Sequence, residues 1–226
     1  MVRPACDPPE GVACGDRPGG GRPLGAIAEL DSRLDSLAGS LRGRYGADLA
    51  AAALSALGDL GFLWLAIATT RAWSPARRPA ALRALLFTGA AAPALNYALK
   101  RAVGRRRPSP ALPARASDPL VSLPAPDDPP GPKRSIAILV RQPRNASFPS
   151  GHTLASWCAA TLLADGDPLG PLYVALAVGV AWSRVHLRHH HPTDVIAGAA
   201  LGTTLGLAGR WIWPLPGAES PWRARR

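Results

Sequence analysis

The sequence predicts an all-α protein, an integral membrane helical bundle of about five transmembrane helices preceded by an amphipathic helix. Three observations carry that prediction. The chain is 47% hydrophobic over 226 residues yet has a mean hydropathy of only +0.05, so its apolar residues must be segregated from its polar ones. The segregation takes the form of five apolar stretches, the first of which, residues 49–70, holds one charge, Asp59, in 22 residues. That is long enough to cross a hydrocarbon core of about 30 Å. Finally, Trp64, Trp73, Trp182, Trp211 and Trp213 fall toward the ends of these stretches, as an interfacial belt requires.

Taken in order, residues 1–23 are Pro- and Gly-rich and are expected to be a disordered tail. Residues 24–46 predict an amphipathic helix, because Ile27, Leu30, Leu34, Leu37 and Leu41 recur at spacings of three and four, a single apolar stripe. That stripe is expected to dock on the rest of the protein or, as a homodimer through 24–45, on a second copy; the alternative is a helix lying on the membrane surface. The membrane domain proper is expected over 47–214. After span 49–70 and the basic loop "RAWSPARRP" comes a second span, 80–99, interrupted by Arg83, Pro93 and Asn96. Stretches 151–164 and 169–183 are short for spans. The fifth, 195–213, repeats glycine at 198, 202 and 206, which suits close helix packing in a bilayer. A Pro-rich loop, 109–148, separates the second and third stretches, and a basic tail, 215–226, closes the chain. A loop of that length is expected to be functional, a lid or headgroup selector, or a solvated linker.

The formal net charge of +11 comes from 26 basic against 15 acidic residues. Such a balance fits anionic lipid, phosphorylated substrate or nucleic acid. A nucleic-acid binder leaves the five apolar stretches without a purpose, so no nucleic-acid partner is expected. The three cysteines show neither a CxxC nor a zinc spacing. The first 23 residues lack an apolar core, so no signal peptide is expected.

All five histidines lie in two short stretches, "PSGH" and "SRVHLRHHHP". A third stretch, "KRAVGRRRP", is basic. Alone, each has a plain explanation: a helix N-terminus, a surface cluster, a charged flank. Together they form K-x6-RP (Lys100, Arg107, Pro108), then PSGH (Pro149 to His152), then SR-x5-H-x3-D (Ser183, Arg184, His190, Asp194), each abutting an apolar stretch.

In these motifs, over roughly residues 49–213, the chain resembles the type 2 phosphatidic acid phosphatase superfamily, which includes bacterial polyprenyl diphosphate phosphatases and vanadium haloperoxidases. One departure is His186, where an aromatic residue is common; another is that histidines flank His190 on both sides. The resemblance implies a membrane phosphatase acting on a lipid phosphate or diphosphate, polyprenyl or glycerolipid, through a phosphohistidine. It implies His190 as nucleophile, His152 as general acid and base, and Asp194 as the group that holds the His190 ring. Lys100, Arg107, Ser150, Gly151 and Arg184 would bind phosphate. The chemistry agrees: phosphoryl transfer needs cations and amide donors around the equatorial oxygens, and arginine grips two at once. Fixed cations stand in for a metal, so neither metal nor cofactor is expected. His186, His189 and His191 are expected to be incidental or to help bind the headgroup, and replacing His189 or His191 is expected to leave most activity.

The rivals are a phosphotransferase with a lipid acceptor, a haloperoxidase-like enzyme, and a membrane metal binder using His186 and His190, which lacks acidic or cysteine partners at ligand spacing. The expected location is the plasma membrane, multi-pass, among membrane lipids. The site is expected on the extracytoplasmic face, by the habit of the resembled family; the motif side carries more arginine, against the positive-inside rule.

Overall fold

The computed structural model describes residues 22–108 and 146–215, and among them every regular element is a helix. In chain order these are α1 (Arg22–Gly39), α2 (Tyr45–Gly58), a 3-10 turn (Asp59–Gly61), α3 (Phe62–Ala72), α4 (Arg78–Leu86), a π-helical turn (Phe87–Ala91), α5 (Ala92–Val103), α6 (Gly151–Leu163), α7 (Gly170–His186) and α8 (Pro192–Ile212). Most of the expected N-terminal tail, most of the Pro-rich loop and most of the basic tail lie outside the described residues. Helix α1 starts at Arg22, with Pro23 in the first turn, where a missing N–H costs nothing. It stops at Gly39, short of the expected 46; a turn containing Gly43, at φ 83°, separates it from α2.

All five apolar stretches are helical, but two are interrupted. The first bends by 60° between α2 and α3. The second passes through the π-helical turn just before Pro93, whose ring and missing N–H disturb the regular ladder one turn upstream. Only α8, of 21 residues, is long and apolar enough by itself to cross a membrane among the described residues; α2 and α3 qualify as one bent span. At 13 residues, α6 is about 20 Å long, short of a hydrocarbon core.

Helix α6 forms the centre and packs against α4, α5, α7 and α8. The α6–α8 contact is the closest. A Cβ placed on Gly198 would stand 2.7 Å from the Ser150 carbonyl, one on Gly202 would strike the Leu154 carbonyl, and one on Gly206 would meet the Thr161 side chain at 2.6 Å. The glycine spacing therefore lets the two backbones touch. That contact brings the N-terminus of α8 beside the N-terminus of α6. An apolar cluster of Trp64, Ala68, Leu162 and Tyr173 fills the other half of the bundle.

The radial distribution of polarity is inverted relative to a water-soluble protein. Arg83, Ser150, Thr153, Ser183, Arg184 and Asp194 are buried, while Phe62, Tyr97, Leu172, Val178, Ile196, Leu207 and Trp211 are exposed. Exposed apolar surface on this scale marks contact with another apolar phase or partner. The end away from the three motifs is held by arginines: Arg71 pairs with Asp167, and Arg83 with Asp165 at 2.5 Å while also donating to the Trp213 carbonyl at 2.9 Å.

Helix α1 docks on the motif end, but not by its apolar stripe. Asp31 is buried and accepts from Arg105 Nη2 at 2.5 Å, Thr193 N at 2.8 Å and Thr193 Oγ1 at 2.9 Å. Asp35 pairs with Arg42, which donates to the carbonyls of Val185 and His186 at the end of α7. Ile27, Leu30, Leu37 and Leu41 stay exposed. Docking of the stripe on the rest of the chain is thus corrected, while an outward stripe is compatible with the other two expected positions, against a second copy or on the membrane surface. The charged face finds fixed cations and amide donors on the bundle, and the apolar face is left outward.

Candidate active site

The three motifs converge. Helix α5 ends at Gly104, whose φ of 61° turns the chain back so that Arg105 and Arg107 face the N-terminus of α8. Helix α7 ends at His186, and Arg188, at φ 53°, redirects the loop inward. The backbone N–H groups of His189 and His190 both donate to the Arg184 carbonyl, at 3.0 and 3.2 Å, and this fixes the loop. The Ser150 N–H donates to the Asp194 carbonyl at 3.1 Å, joining the second motif to the third.

His190 is buried. Its Nδ1 lies 2.7 Å from the Ser147 carbonyl and its Nε2 lies 3.1 Å from Arg107 Nη1. A carbonyl only accepts and a guanidinium only donates, so the proton sits on Nδ1 and the lone pair on Nε2. Burial, followed by the charges of Arg107, Arg184 and Lys100, pushes the His190 pKa well below the ordinary histidine value; the Ser147 hydrogen bond opposes this. A neutral imidazole with an inward lone pair is what a nitrogen nucleophile requires.

The expected direct hold of Asp194 on His190 is replaced by a relay. Asp194 Oδ2 is 3.9 Å from His190 Nδ1, beyond hydrogen-bond reach. It accepts instead from Ser147 Oγ at 2.5 Å and from the His191 N–H at 3.0 Å, and Oδ1 accepts from Arg105 Nη1 at 2.7 Å. Asp194 stands at the third position of α8 and closes a capping box with His191. It anchors Ser147, and the Ser147 carbonyl orients His190.

His152 opens α6, and its Nε2 lies 2.6 Å from Asp59 Oδ1. A carboxylate only accepts, so Nε2 carries a proton and Nδ1 is left for proton transfer. Asp59 reaches it from the break between α2 and α3. Gly58 leaves room there: a Cβ on it would stand 3.3 Å from His152 Cδ2.

The cations take their places around these two histidines. Lys100 donates to the Ala146 carbonyl at 2.5 Å, and Arg107 to the His189 carbonyl at 2.5 Å. Arg184 is buried and donates to Ser55 Oγ, while its Nε has no partner among the described residues. Ser150 is buried, accepts from Thr153 Oγ1 at 2.9 Å and begins α6 with Gly151 beside Asn96. A cleft of roughly 330 Å³ opens next to His190, bounded by α1, Arg105 and Arg188. His186 is engaged elsewhere, with Asp48 at 2.8 Å and against Trp182. No group of three or more His, Cys, Asp or Glu side chains able to hold a metal gathers among the described residues. His189, expected to be peripheral, is buried within the cluster.

Residues 81–216 match the family model of the PAP2 superfamily. The chain belongs to the PAP2 superfamily. A PAP2 relative, the decaprenylphosphoryl-5-phosphoribose phosphatase of Mycolicibacterium smegmatis, is 34% identical over 171 residues, which are 74% of this chain and 80% of that one. The PAP2-type phosphatidylglycerolphosphate phosphatase of Bacillus subtilis, a transmembrane protein, shares the fold at a TM-score of 0.60 and 22% identity, over 83% of this chain and 86% of that one. LpxE of Aquifex aeolicus does so at 0.56 and 22%, over 80% and 94%.

Two contributors went unseen in the sequence. Asp59 had a signal, a lone carboxylate in an apolar stretch, which is a functional candidate by default. The Ser147 carbonyl had none, since it is main chain.

Proposed function

We propose that this PAP2 protein is a multi-pass plasma-membrane phosphatase that hydrolyses a lipid phosphate, with its site on the extracytoplasmic face. The supporting observation is the setting of His190: Nδ1 lies against the Ser147 carbonyl and Nε2 against Arg107, and burial with the nearby cations holds its pKa well below the ordinary histidine value. His190 Nε2 attacks phosphorus, the N–P bond forms and the P–O bond to the leaving group breaks. His152 enters this step as the imidazolium, its Nε2–H held by Asp59, and gives its Nδ1 proton to the departing oxygen, leaving the neutral ring. The His190 Nδ1 proton stays on the ring, held by Ser147. Water then attacks the phosphohistidine and gives a proton back to His152, phosphate leaves, and the Nε2 lone pair is restored. Lys100, Arg107, Arg184 and the N–H groups at Ser150–Gly151 carry the charge of the equatorial oxygens, as phosphoryl transfer demands. Asp59 holds His152, and Asp194 holds Ser147.

The substrate class we propose is a polyprenyl lipid whose terminal phosphate sits on a polar headgroup such as a sugar. Similarity to the decaprenylphosphoryl-5-phosphoribose phosphatase supports this. So does the cleft under α1, where Ser32, Asp35 and Arg188 offer polar partners for hydroxyl groups. The five apolar helical stretches are the proposed spans, with the outward apolar surface against lipid.

The test is phosphate release by purified protein in detergent, with chelator present, from a panel of polyprenyl phosphosugar, polyprenyl diphosphate, phosphatidylglycerolphosphate and phosphatidate. Release, with an acid-labile, base-stable phosphoenzyme that is absent in His190→Ala, is expected. A covalent label that survives in His190→Ala refutes the assignment of the nucleophile.

A further inference from the structure

His189 presents a problem that the proposed mechanism leaves open. It is 1% exposed, and neither ring nitrogen has a hydrogen-bond partner among the described residues. An imidazole buried in that way forfeits its bonds to water without replacement, so an apolar side chain would fit the folded chain better. Its main chain is tied to both arginines of the cluster. The N–H donates to the Arg184 carbonyl at 3.0 Å, and the carbonyl accepts from Arg107 Nη1 at 2.5 Å. Its ring lies within electrostatic reach of Arg184, Arg107, His152 and Asp59. The charges felt by His190 are those of Arg107, Arg184 and Lys100. The two neighbouring histidines thus share Arg107 and Arg184, and His189 in addition feels the His152–Asp59 pair.

We propose that His189 is a phosphate ligand of this site, donating its ring N–H to an oxygen of the bound phosphoryl group on the side of the His152–Asp59 pair. The inference rests on the phosphatase reading above. Phosphoryl oxygens accept hydrogen bonds, and His189 is a donor for which the described residues supply no partner. Burial and the two arginines push its pKa down to about 3, so at neutral pH it offers one N–H without adding a further charge. It is a catalytic residue in the sense of touching the substrate, and it exchanges no proton. A bound phosphoryl oxygen satisfies a group that the described residues leave unsatisfied, so the same imidazole weakens the fold and strengthens the complex.

That opposition supplies the test. Orthovanadate, a phosphate analogue, is titrated against phosphate release by full-length protein in detergent, and the melting temperature of the vanadate-free protein is measured alongside. His189→Leu is expected to weaken vanadate inhibition about tenfold, the factor that corresponds to about 1.4 kcal/mol. Its vanadate-free melting temperature is expected to equal or exceed that of the unaltered protein. His189→Asn, which keeps an N–H donor, is expected to recover part of the vanadate affinity. His189→Phe serves as a second nitrogen-free variant. The proposal is overturned if His189→Leu binds vanadate within twofold of the unaltered protein. It is equally overturned if both nitrogen-free variants melt lower or fail to fold, since the ring would then be structural. If the unaltered protein neither binds vanadate nor releases phosphate from any lipid phosphate, it is the phosphatase reading that falls.

Discussion

Replacing Asp194 with asparagine separates two ways of orienting a nucleophilic histidine. The substitution keeps the shape and removes the charge. Asp194 Oδ2 accepts from Ser147 Oγ and the His191 N–H, and Oδ1 accepts from Arg105. An amide can accept on only one of these sides; on the other its NH2 faces a donor. Hydrogen bonds to a charged group contribute about 1.5–3 kcal/mol each. Loss of one such bond to the relay corresponds to roughly 10- to 150-fold in kcat/KM at 1.36 kcal/mol per factor of ten. Direct orientation behaves differently: removing the carboxylate that holds a catalytic imidazole lowers kcat about 10⁴-fold in serine proteases. The 3.9 Å gap between Asp194 and His190 therefore predicts the smaller loss. Ser147→Ala keeps the carbonyl that holds His190 and deletes only the hydroxyl link, so it should cost a similar 10- to 150-fold. The double variant should lose little more than either single one, because both break one chain of contacts. The assay is steady-state phosphate release together with single-turnover phosphoenzyme formation. A loss near 10⁴ in Asp194→Asn with full activity in Ser147→Ala would refute the relay.

Asp59→Asn should slow turnover about 10²-fold on a lipid phosphate and little on a substrate with a good leaving group, as expected when general acid–base catalysis is impaired; equal losses on both would place Asp59 outside proton transfer. The depressed His190 pKa sets a sign for pH dependence: the nucleophile is protonated only below the ordinary histidine range. Phosphoenzyme formation from a good-leaving-group substrate should therefore persist as pH falls through 6.5, and a stopped-flow pH series showing loss centred there would contradict it. Gly202→Ala should lower the melting temperature measurably, since its Cβ meets backbone atoms of α6 and such overpacking costs about 1–3 kcal/mol. An unchanged thermal scan would show that the α6–α8 contact is looser than described.

The helical character of all five apolar stretches was legible because hydrophobic burial is written in composition and period. The convergence of Lys100, Arg107, His152, Arg184 and His190 was legible through the three motifs. The rest was not, for identifiable reasons. Asp59 and His152 are 93 positions apart, and nothing in periodicity pairs them. That α1 docks on its own chain by its charged face was not legible, because its leucine stripe is the stronger pattern. In a bundle whose exterior is apolar, burial selects Asp31 and leaves the leucines outside. The orienting partner of His190 is a main-chain oxygen, and every residue has one, so side-chain chemistry pointed to Asp194 instead.

The contact between Arg107 and His190 Nε2 carries a consequence for reagents other than substrate. The guanidinium occupies the lone pair that would otherwise meet an acylating or alkylating electrophile. A neutral imidazole of depressed basicity is ordinarily the form most open to such attack; here it is stoppered. Only an anion able to draw Arg107 onto its own oxygens uncovers the nitrogen, and a phosphate does so while presenting phosphorus to it. Histidine-directed modifiers should therefore find His190 slow in the resting enzyme. Its reactivity becomes conditional on the charge of the molecule that enters.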